Sequence, residues 1–371
     1  NFVKTLLLLF PYKFTEFYYY KFEFFYLNKK NYEVIIHDLS DIIANPRYIK
    51  STKTKADKRT KKFSSLMSWI RAFNKIKRKK NVLVYDMVGD AKFRVFIIKL
   101  ILKLSNLPVL EYKVAEIGEW KNRKRNKKFF IEAISEQQLN LKFYIYRIKE
   151  IFYSRLIKLI KFKKTYLLVN KKLNGFYNSK KIDLINHHSY DYSTSLIEKK
   201  KISVKKNRKR YIVYLDKPRP YFGGDTLLDG MRLPKNDIDK WYNELNSLFG
   251  YLEKLFNAKV LIIPHNKYKI PKLKKKNLNP YFNNRTSDNS YNACEKHIPG
   301  CLFIIADTST AVSYGIINYK PIQYIYSSNY IYLKKHIKNL ILQSRLTGMN
   351  LINIASIDKK KIIRNLSVDK K

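Results

Sequence analysis

The sequence Tyr211-Ile-Val-Tyr-Leu-Asp216 is a short apolar run that ends in an acid. Two later runs have the same form: Ala258–Pro264 leads into His265, and Leu302–Ala306 leads into Asp307. Continuous apolar runs of this length are typical of parallel strands, because helices cover such a sheet on both faces. The second half of the chain is therefore predicted to contain a parallel sheet.

Helical patterns lie between these runs. Asp237–Phe256 has apolar residues at helical spacing behind an acid that can cap its start, and Ser309–Asn318 begins with hydroxyl residues. Pro321–Tyr326 is a further apolar run. Strands that alternate with helices in this way indicate an α/β unit.

The first half shows the same alternation. Thr5–Phe10 and Tyr32–Asp38 are predicted strands, and the aromatic-rich segment Lys13–Leu27 between them is a predicted helix. Asn81–Asp86 and Leu107–Tyr112 are further predicted strands. A strand, a helix and a strand in such close succession indicate the beginning of a doubly wound parallel sheet.

The length of the chain requires more than one core. It has 371 residues, and a single hydrophobic core rarely grows beyond roughly 250–300 residues. We therefore expect two Rossmann-like α/β domains that face each other across a cleft. The stretch Lys199–Arg210 holds six lysines and two arginines, which suits a solvated linker. The predicted domains are 1–200 and 211–371.

The chain is strongly basic. It has 76 Lys and Arg against 29 Asp and Glu, which gives a formal net charge of +47. Such charge favours binding to nucleic acid or to an anionic membrane surface, and a codon bias toward Lys, Asn and Ile is an equally simple origin. The sequence has no helix-turn-helix, zinc-finger or aromatic RNA-binding pattern, so no specific nucleic acid is predicted as a partner.

The segment 129–164 combines basic residues with apolar residues near helical spacing. A basic amphipathic helix can lie in a membrane interface, or it can cover a sheet and leave its basic face in solvent. The apolar runs are shorter than the roughly 20 residues that span a bilayer, so no transmembrane helix is expected. Cys294 and Cys301 match no zinc or redox spacing and are expected to be free thiols in a reducing cytoplasm.

Several candidate catalytic residues follow strands, and ligands of open α/β sheets bind outside the carboxyl ends of their strands. His265 can contact a phosphate or act as an acid and base, or it can be an ordinary hydrogen-bonded histidine. Asp216 and Asp225 can take a proton from a sugar hydroxyl, or they can serve only as turn residues.

Two further groups of polar residues lie near predicted strand ends. Thr308, Ser309 and Thr310 precede a predicted helix, where hydroxyls and backbone N–H groups suit a phosphate; simple helix capping is the alternative. His188 and Asp191 follow a predicted strand of the first half and can line the cleft from that side. No metal site is predicted, because adjacent histidines on an extended chain point to opposite faces.

These motifs resemble those of a group of bacterial surface-polysaccharide biosynthesis proteins with a glycosyltransferase GT-B architecture. In that group one strand ends in a His-Pro-Arg motif, and a later strand ends in a His-x-Ser-Thr-Ala motif that a Lys-Pro-Ile follows. Here Asn266-Lys267 replaces the Pro-Arg, and Asp307 replaces the second histidine. The matching pieces are Tyr214–Asp216 with Pro220 and Asp225, Ile262–His265, Asp307–Ala311 with Lys320–Ile322, and His188–Tyr192.

The resemblance implies a metal-independent glycosyltransferase that uses a nucleotide-sugar donor, needs no cofactor and acts on a glycan or lipid-linked acceptor. The basic amphipathic helix predicted around 143–162 would hold such an enzyme at the cytoplasmic face of the membrane. A weaker resemblance to bacterial sialyltransferases and polyol-phosphate transferases keeps CMP-sugar and CDP-linked donors open, and a non-catalytic polysaccharide-assembly protein is a further alternative. The residues expected at the donor phosphates are His265, Lys267, Asp307, Thr308, Ser309 and Thr310.

Overall fold

The computed structural model of the chain describes residues 4–44, 55–89, 92–112, 141–169, 182–202, 210–217, 235–265, 278–332 and 334–367. These residues divide into two compact units. The first unit takes in the described residues up to Ser189, and the second begins at Tyr190.

The first unit is built on a seven-stranded parallel sheet with the strand order β3-β2-β1-β4-β5-β6-β7. This order is that of a Rossmann-like sheet extended by one strand, and it reverses direction between β1 and β4. Its elements are β1 (Thr5–Phe10), α1 (Glu16–Lys21), α2 (Phe24–Lys29), β2 (Glu33–Asp38), α3 (Ser40–Ile43), β3 (Thr60–Lys62), α4 (Leu66–Lys77), β4 (Val82–Asp86), α5 (Phe93–Ser105), β5 (Val109–Tyr112), α6 (Leu141–Leu159), β6 (Thr165–Val169) and β7 (Ile182–Asn186).

The second unit is built on a five-stranded parallel sheet with the order β14-β13-β12-β8-β9. The strand order reverses direction between β8 and β12, so the crevice at their carboxyl ends is where this architecture places ligands. Its elements are α7 (Tyr190–Ile202), β8 (Tyr211–Asp216), α8 (Ile238–Phe256), β9 (Lys259–Pro264), a small antiparallel pair of β10 (Leu278–Asn279) and β11 (Arg285–Thr286), α9 (Ala293–His297), β12 (Ile304–Ala306), α10 (Val312–Ile317), β13 (Ile322–Tyr326), α11 (Lys334–Leu346), β14 (Ile352–Asn353) and α12 (Lys359–Ser367).

The predicted α/β class with two Rossmann-like units is confirmed. The apolar runs became strands because helices cover both faces of each sheet: every residue of β1 is buried, as are the last five residues of β8. Helix α8 packs its apolar stripe, from Trp241 to Leu252, into the core on one face of the second sheet. Its predicted cap is also present, since the Asp237 carboxylate accepts from the N–H of Lys240.

Three expectations need correction. The helix predicted at Lys13–Leu27 is broken into α1 and α2 at Glu23, which has a left-handed φ of 57°, because Phe22 and Phe24 on both sides of the break are buried. The helix predicted from Ser309 begins only at Val312. Helix α7 packs against α9 and α10 in the second unit, so the boundary lies at Ser189–Tyr190 rather than within 199–210.

The described part of segment 129–164 forms α6 up to Leu159, and residues 129–140 lie outside the described residues. Among the described residues, no helix is both long enough and apolar enough to cross a bilayer. Cys294 and Cys301 are both free thiols.

A buried ion pair lies at the carboxyl end of β4 in the first unit. The Lys99 ammonium on α5 donates to Asp86 Oδ2, and the Glu111 carboxylate lies 3.8 Å from the same ammonium. Burial acts to lower the pKa of Lys99, but the two carboxylates outweigh it and the pKa lies above its ordinary value. Asp86 Oδ1 also accepts from the N–H of Val88, so the pair fixes the loop that leads to α5.

We predict that Lys99→Met lowers the free energy of unfolding by about 3–5 kcal/mol, because it leaves the Asp86 carboxylate buried without its cation. Urea titration followed by circular dichroism measures this. Lys103→Met, an exposed position on the same helix, is the control and should change stability by no more than about 0.5 kcal/mol. Equal effects from the two substitutions would contradict a stabilising role for the pair.

Candidate functional site

The strand order of the second sheet reverses between β8 and β12, and the carboxyl edge at this place is called the switch point below. It brings together three of the predicted site residues. Strand pairing sets Ala306 beside Leu215 and Pro264 beside Asp216. Asp307 and His265 each follow directly on these strands, so Asp307, Asp216 and His265 lie in a row at the carboxyl edge of β12, β8 and β9. Residues almost a hundred positions apart in the chain thus meet because parallel strands end at one edge.

Asp216 and Asp307 form a buried acidic pair. Asp216 is 4% exposed and Asp307 is 1% exposed. Among the described residues, Asp216 Oδ1 has no hydrogen-bond partner. Burial, and then the charge of Asp307, raise the pKa of Asp216 to about 8. Asp216 is therefore largely protonated at neutral pH, and an acid with this pKa can both donate and accept a proton there.

The loop after β12 is tied to the loop after β8. Asp307 Oδ1 accepts from the N–H of Thr308. The ammonium of Lys217 donates to the carbonyl of Thr308 at 3.2 Å and lies 3.3 Å from its hydroxyl. Lys217 was not among the predicted site residues, although its position directly after a strand that ends in an acid was the available signal.

Ser309 and Thr310 lie in the turn before α10. Ser309 Oγ accepts from the N–H of Ala311 at 3.3 Å, and Thr310 is exposed. The residue that caps α10 is Ala311, whose side chain makes no capping bond. Ser309 Oγ thus accepts from the N–H two residues on, and the Ser309 carbonyl accepts from Val312 N–H, so capping of the turn before α10 stays the alternative to a phosphate-binding role for Ser309.

His265 is half-buried at the end of β9. Two further predicted residues, Asp225 and Lys267, lie outside the described residues. Their roles as base and phosphate ligand stay predictions.

Asp191 lies in the second unit, where the Ser313 hydroxyl on α10 donates to Asp191 Oδ2 at 2.6 Å. Its predicted place in the first half is wrong, because α7 packs on α10. His188 does belong to the first unit, and its ring stacks on that of His187 at 5.4 Å, contrary to the expectation that the two rings diverge. Both residues follow the end of β7, where the extended backbone stops.

A buried polar network connects the same helices. The Tyr314 hydroxyl on α10 donates to Glu295 Oε1 at 2.7 Å and lies 3.2 Å from the Thr194 hydroxyl on α7. Burial, and then the charge of Glu295, raise the pKa of Tyr314 well above its ordinary value. The network holds α10, and with it the loop 307–311, in a fixed place. No local pattern in the sequence indicates these pairs.

Comparisons with known proteins support the fold. No protein-family profile and no curated protein sequence matches the chain. Among solved structures, the chain resembles UDP-GlcNAc 2-epimerase from Methanocaldococcus jannaschii, with 12% identity, 99% of this chain and 92% of that chain covered, and a TM-score of 0.50. The chain has a GT-B-like fold.

Two further solved structures have lower TM-scores and add no argument of their own. UDP-GlcNAc 2-epimerase from Neisseria meningitidis is 15% identical, with 98% of each chain covered and a TM-score of 0.41. The wall teichoic acid polymerase TagF is 13% identical, with 97% of this chain and 87% of that chain covered and a TM-score of 0.39. At these identities the likeness concerns the fold and not the reaction.

We predict that Asp216→Asn changes how stability depends on pH. An aspartate in the unfolded chain ionises near 3.8, whereas the pKa of folded Asp216 is about 8. The folded protein therefore holds the additional proton between these values, so this residue destabilises the fold increasingly as the pH rises from about 4 to about 8. Thermal unfolding across this range should show the variant gaining stability relative to the wild type as the pH rises.

The exposed residue Asp239 provides the matched control. The stability of Asp239→Asn should depend on pH in the same way as that of the wild type over the whole range. If the stability of Asp216→Asn also follows that of the wild type at every pH, Asp216 is ionised in the folded protein. The description of a buried acidic pair with one proton on Asp216 would then be wrong.

Proposed function

We propose that this chain is a nucleotide-sugar enzyme of surface-polysaccharide biosynthesis, and that it transfers a sugar to a glycan or lipid-linked acceptor without a metal. The observation that carries the proposal is the convergence of Asp216, Asp307 and His265 at the switch point of the second sheet. The GT-B-like fold is consistent with it. A location at the cytoplasmic face of the membrane is part of the proposal.

The donor binds, in this proposal, across the loop 307–311. Lys217 brings a positive charge to Thr308, while His265 approaches the donor phosphates from the end of β9. Lys267 stays a predicted further ligand of these phosphates. The acidic pair repels an anionic ligand less strongly than two ionised carboxylates would, because Asp216 holds a proton at neutral pH. Cationic groups that stabilise the charge of the departing nucleotide supply the electrostatic part of the catalysis.

Asp216 is the acid–base residue of the proposed reaction. A group whose pKa lies near the operating pH exchanges protons most effectively with a sugar hydroxyl. Its unsatisfied Oδ1 leaves an acceptor position for that hydroxyl. Asp307, which accepts from the N–H of Thr308, keeps the pKa of Asp216 raised and orders the loop.

We predict that one nucleotide among CMP, CDP, UDP, GDP and dTDP raises the melting temperature of the wild type. A ligand that binds only the folded state stabilises it by mass action, by about 2.7 kcal/mol at a hundred times its Kd. His265→Ala and Ser309→Ala should abolish this shift. His297→Gln is the control and should keep the shift, because the contact of its carbonyl with Tyr211 places His297 at the amino end of β8, the end opposite the switch point. Its ring pairs with Asp288, so the shift is measured from the variant's own melting temperature without nucleotide.

A shift that survives His265→Ala and Ser309→Ala would place the nucleotide elsewhere, and no shift with any nucleotide would favour a non-catalytic assembly protein. Product analysis by mass spectrometry with UDP-GlcNAc and CDP-linked donors then separates sugar transfer from phosphoryl transfer and from epimerisation of the donor.

We also propose that α6 attaches the protein to the membrane surface. Its inner face packs on α5 through Tyr153, whose ring lies 5.8 Å from that of Phe93. Its outer face exposes apolar side chains at i, i+3, i+7 and i+14: Ile145 is 44% exposed, Ile148 64%, Phe152 55% and Leu159 72%. Exposed lysines and an arginine flank this stripe, and the combination suits an anionic membrane interface.

We predict that the protein floats with anionic liposomes at low salt and that Ile148→Asp/Phe152→Asp prevents this, because charged residues replace the inserted apolar ones. Ile316→Asp/Tyr319→Asp, which alters two exposed apolar residues of the second unit, is the control and should still float. If wild-type protein stays at the bottom of the gradient, α6 is not a membrane helix.

A further inference from the structure

A cavity of about 480 Å³ lies within the first unit, between the end of α3, the beginning of α5 and the middle of α6. Small-molecule sites in proteins have volumes of roughly 300–1,000 Å³. It is separate from the switch point of the second unit, and none of the predicted site residues lines it. The cavity is therefore not explained by the proposed donor site.

Three of the four charged residues that line this cavity are cations. Lys92, Arg94 and Lys149 face it, together with one carboxylate, that of Glu150. The Arg94 guanidinium donates to the carbonyl of Ile42 at 2.8 Å, and the Lys92 ammonium donates to the carbonyl of Ile43 at 3.2 Å. These contacts with carbonyl oxygens orient the two groups toward the cavity wall formed by α3.

An oriented guanidinium beside two ammonium groups is the chemistry that binds a phosphate. Arginine offers parallel N–H donors that match two phosphate oxygens, and lysine adds point charge. A single carboxylate beside three cations leaves an excess of positive charge. The cavity therefore favours an anion with several oxygens.

The apolar stripe of α6 indicates where this anion comes from. Lys149 and Phe152 are three residues apart on one helix, so their side chains are neighbours. Phe93, which also lines the cavity, is 54% exposed. A ligand with a phosphate and a hydrocarbon chain would contact the cations of the cavity with the one and cover the apolar stripe of α6 with the other. A free phosphate or a nucleotide would leave the stripe exposed.

We propose that this cavity binds the phosphate of a lipid head group while the lipid's chain lies along α6 in the membrane interface. This inference rests on the proposed function in one respect, since the lipid-linked acceptor is the expected natural ligand. The cavity would then hold the phosphate that joins the acceptor to its lipid.

The test compares two double variants of the full chain. Arg94→Glu/Lys149→Glu reverses two cations of the cavity, and Arg155→Glu/Lys158→Glu reverses two exposed cations of α6 that do not line it. Both carry the same change in net charge. Binding is measured by co-sedimentation with phosphatidylcholine vesicles that contain phosphatidic acid or phosphatidylglycerol, adjusted to equal surface charge.

We expect the wild type to prefer the phosphate monoester of phosphatidic acid by about tenfold, which corresponds to about 1.4 kcal/mol. The cavity variant should lose this preference, and the control variant should bind both vesicles more weakly but keep it. Loss of the preference in both variants, or no preference in the wild type, would overturn the proposal. Arg94→Gln/Lys149→Gln repeats the test without charge reversal if the first variant does not fold.

Two further measurements separate the possible sources and sites. If inorganic phosphate alone stabilises the wild type against heat, and the cavity variant loses this effect, the ligand is a free anion and the lipid assignment is wrong. The response to nucleotide should be unchanged in the cavity variant. A protein that shows the lipid preference but no nucleotide response would refute the proposed donor site and leave this inference standing.

Discussion

The burial of Asp216 beside Asp307 is the constraint on which the proposed chemistry depends. Parallel strands that end at one edge force these residues together, and the surrounding core excludes the water that would otherwise separate their charges. Asp216 therefore holds a proton at neutral pH, because burial and the charge of Asp307 raise its pKa to about 8. A structure that needed only stability would place apolar residues at both positions, since an unpaired buried acid costs free energy.

The core around this pair holds it in place. Leu215, Ala306 and Val312 belong to one buried cluster on the face of the sheet that α10 covers. Gly315 lets α10 approach β12 closely, because a Cβ at that position would lie 2.6 Å from Ile304 Cδ1. The close approach packs α10 directly against β12, the strand that Asp307 follows.

The sequence predicts the parts of this fold that local patterns determine. Apolar runs identify the strands, and acids and a histidine directly after these runs identify Asp216, His265 and Asp307 as neighbours at one edge. Features that depend on contacts between distant segments do not appear in any local pattern. The break at Glu23, the place of Asp191 beside Ser313 and the start of α10 at Val312 all follow from packing between elements. The cationic cavity of the first unit is of the same kind, because three separate helices supply its lining.

The central claim is that the nucleotide donor binds at the carboxyl edge of β8, β9 and β12. Hydrogen–deuterium exchange with and without the nucleotide that raises the melting temperature tests it most directly. The account predicts slower exchange in the segments that meet at the switch point, which are 211–217, 259–265 and 304–312, and little change in the strands of the first unit. Slower exchange confined to other segments of the chain, with these three unchanged, would contradict the assignment of the donor site to the carboxyl edge of β8, β9 and β12.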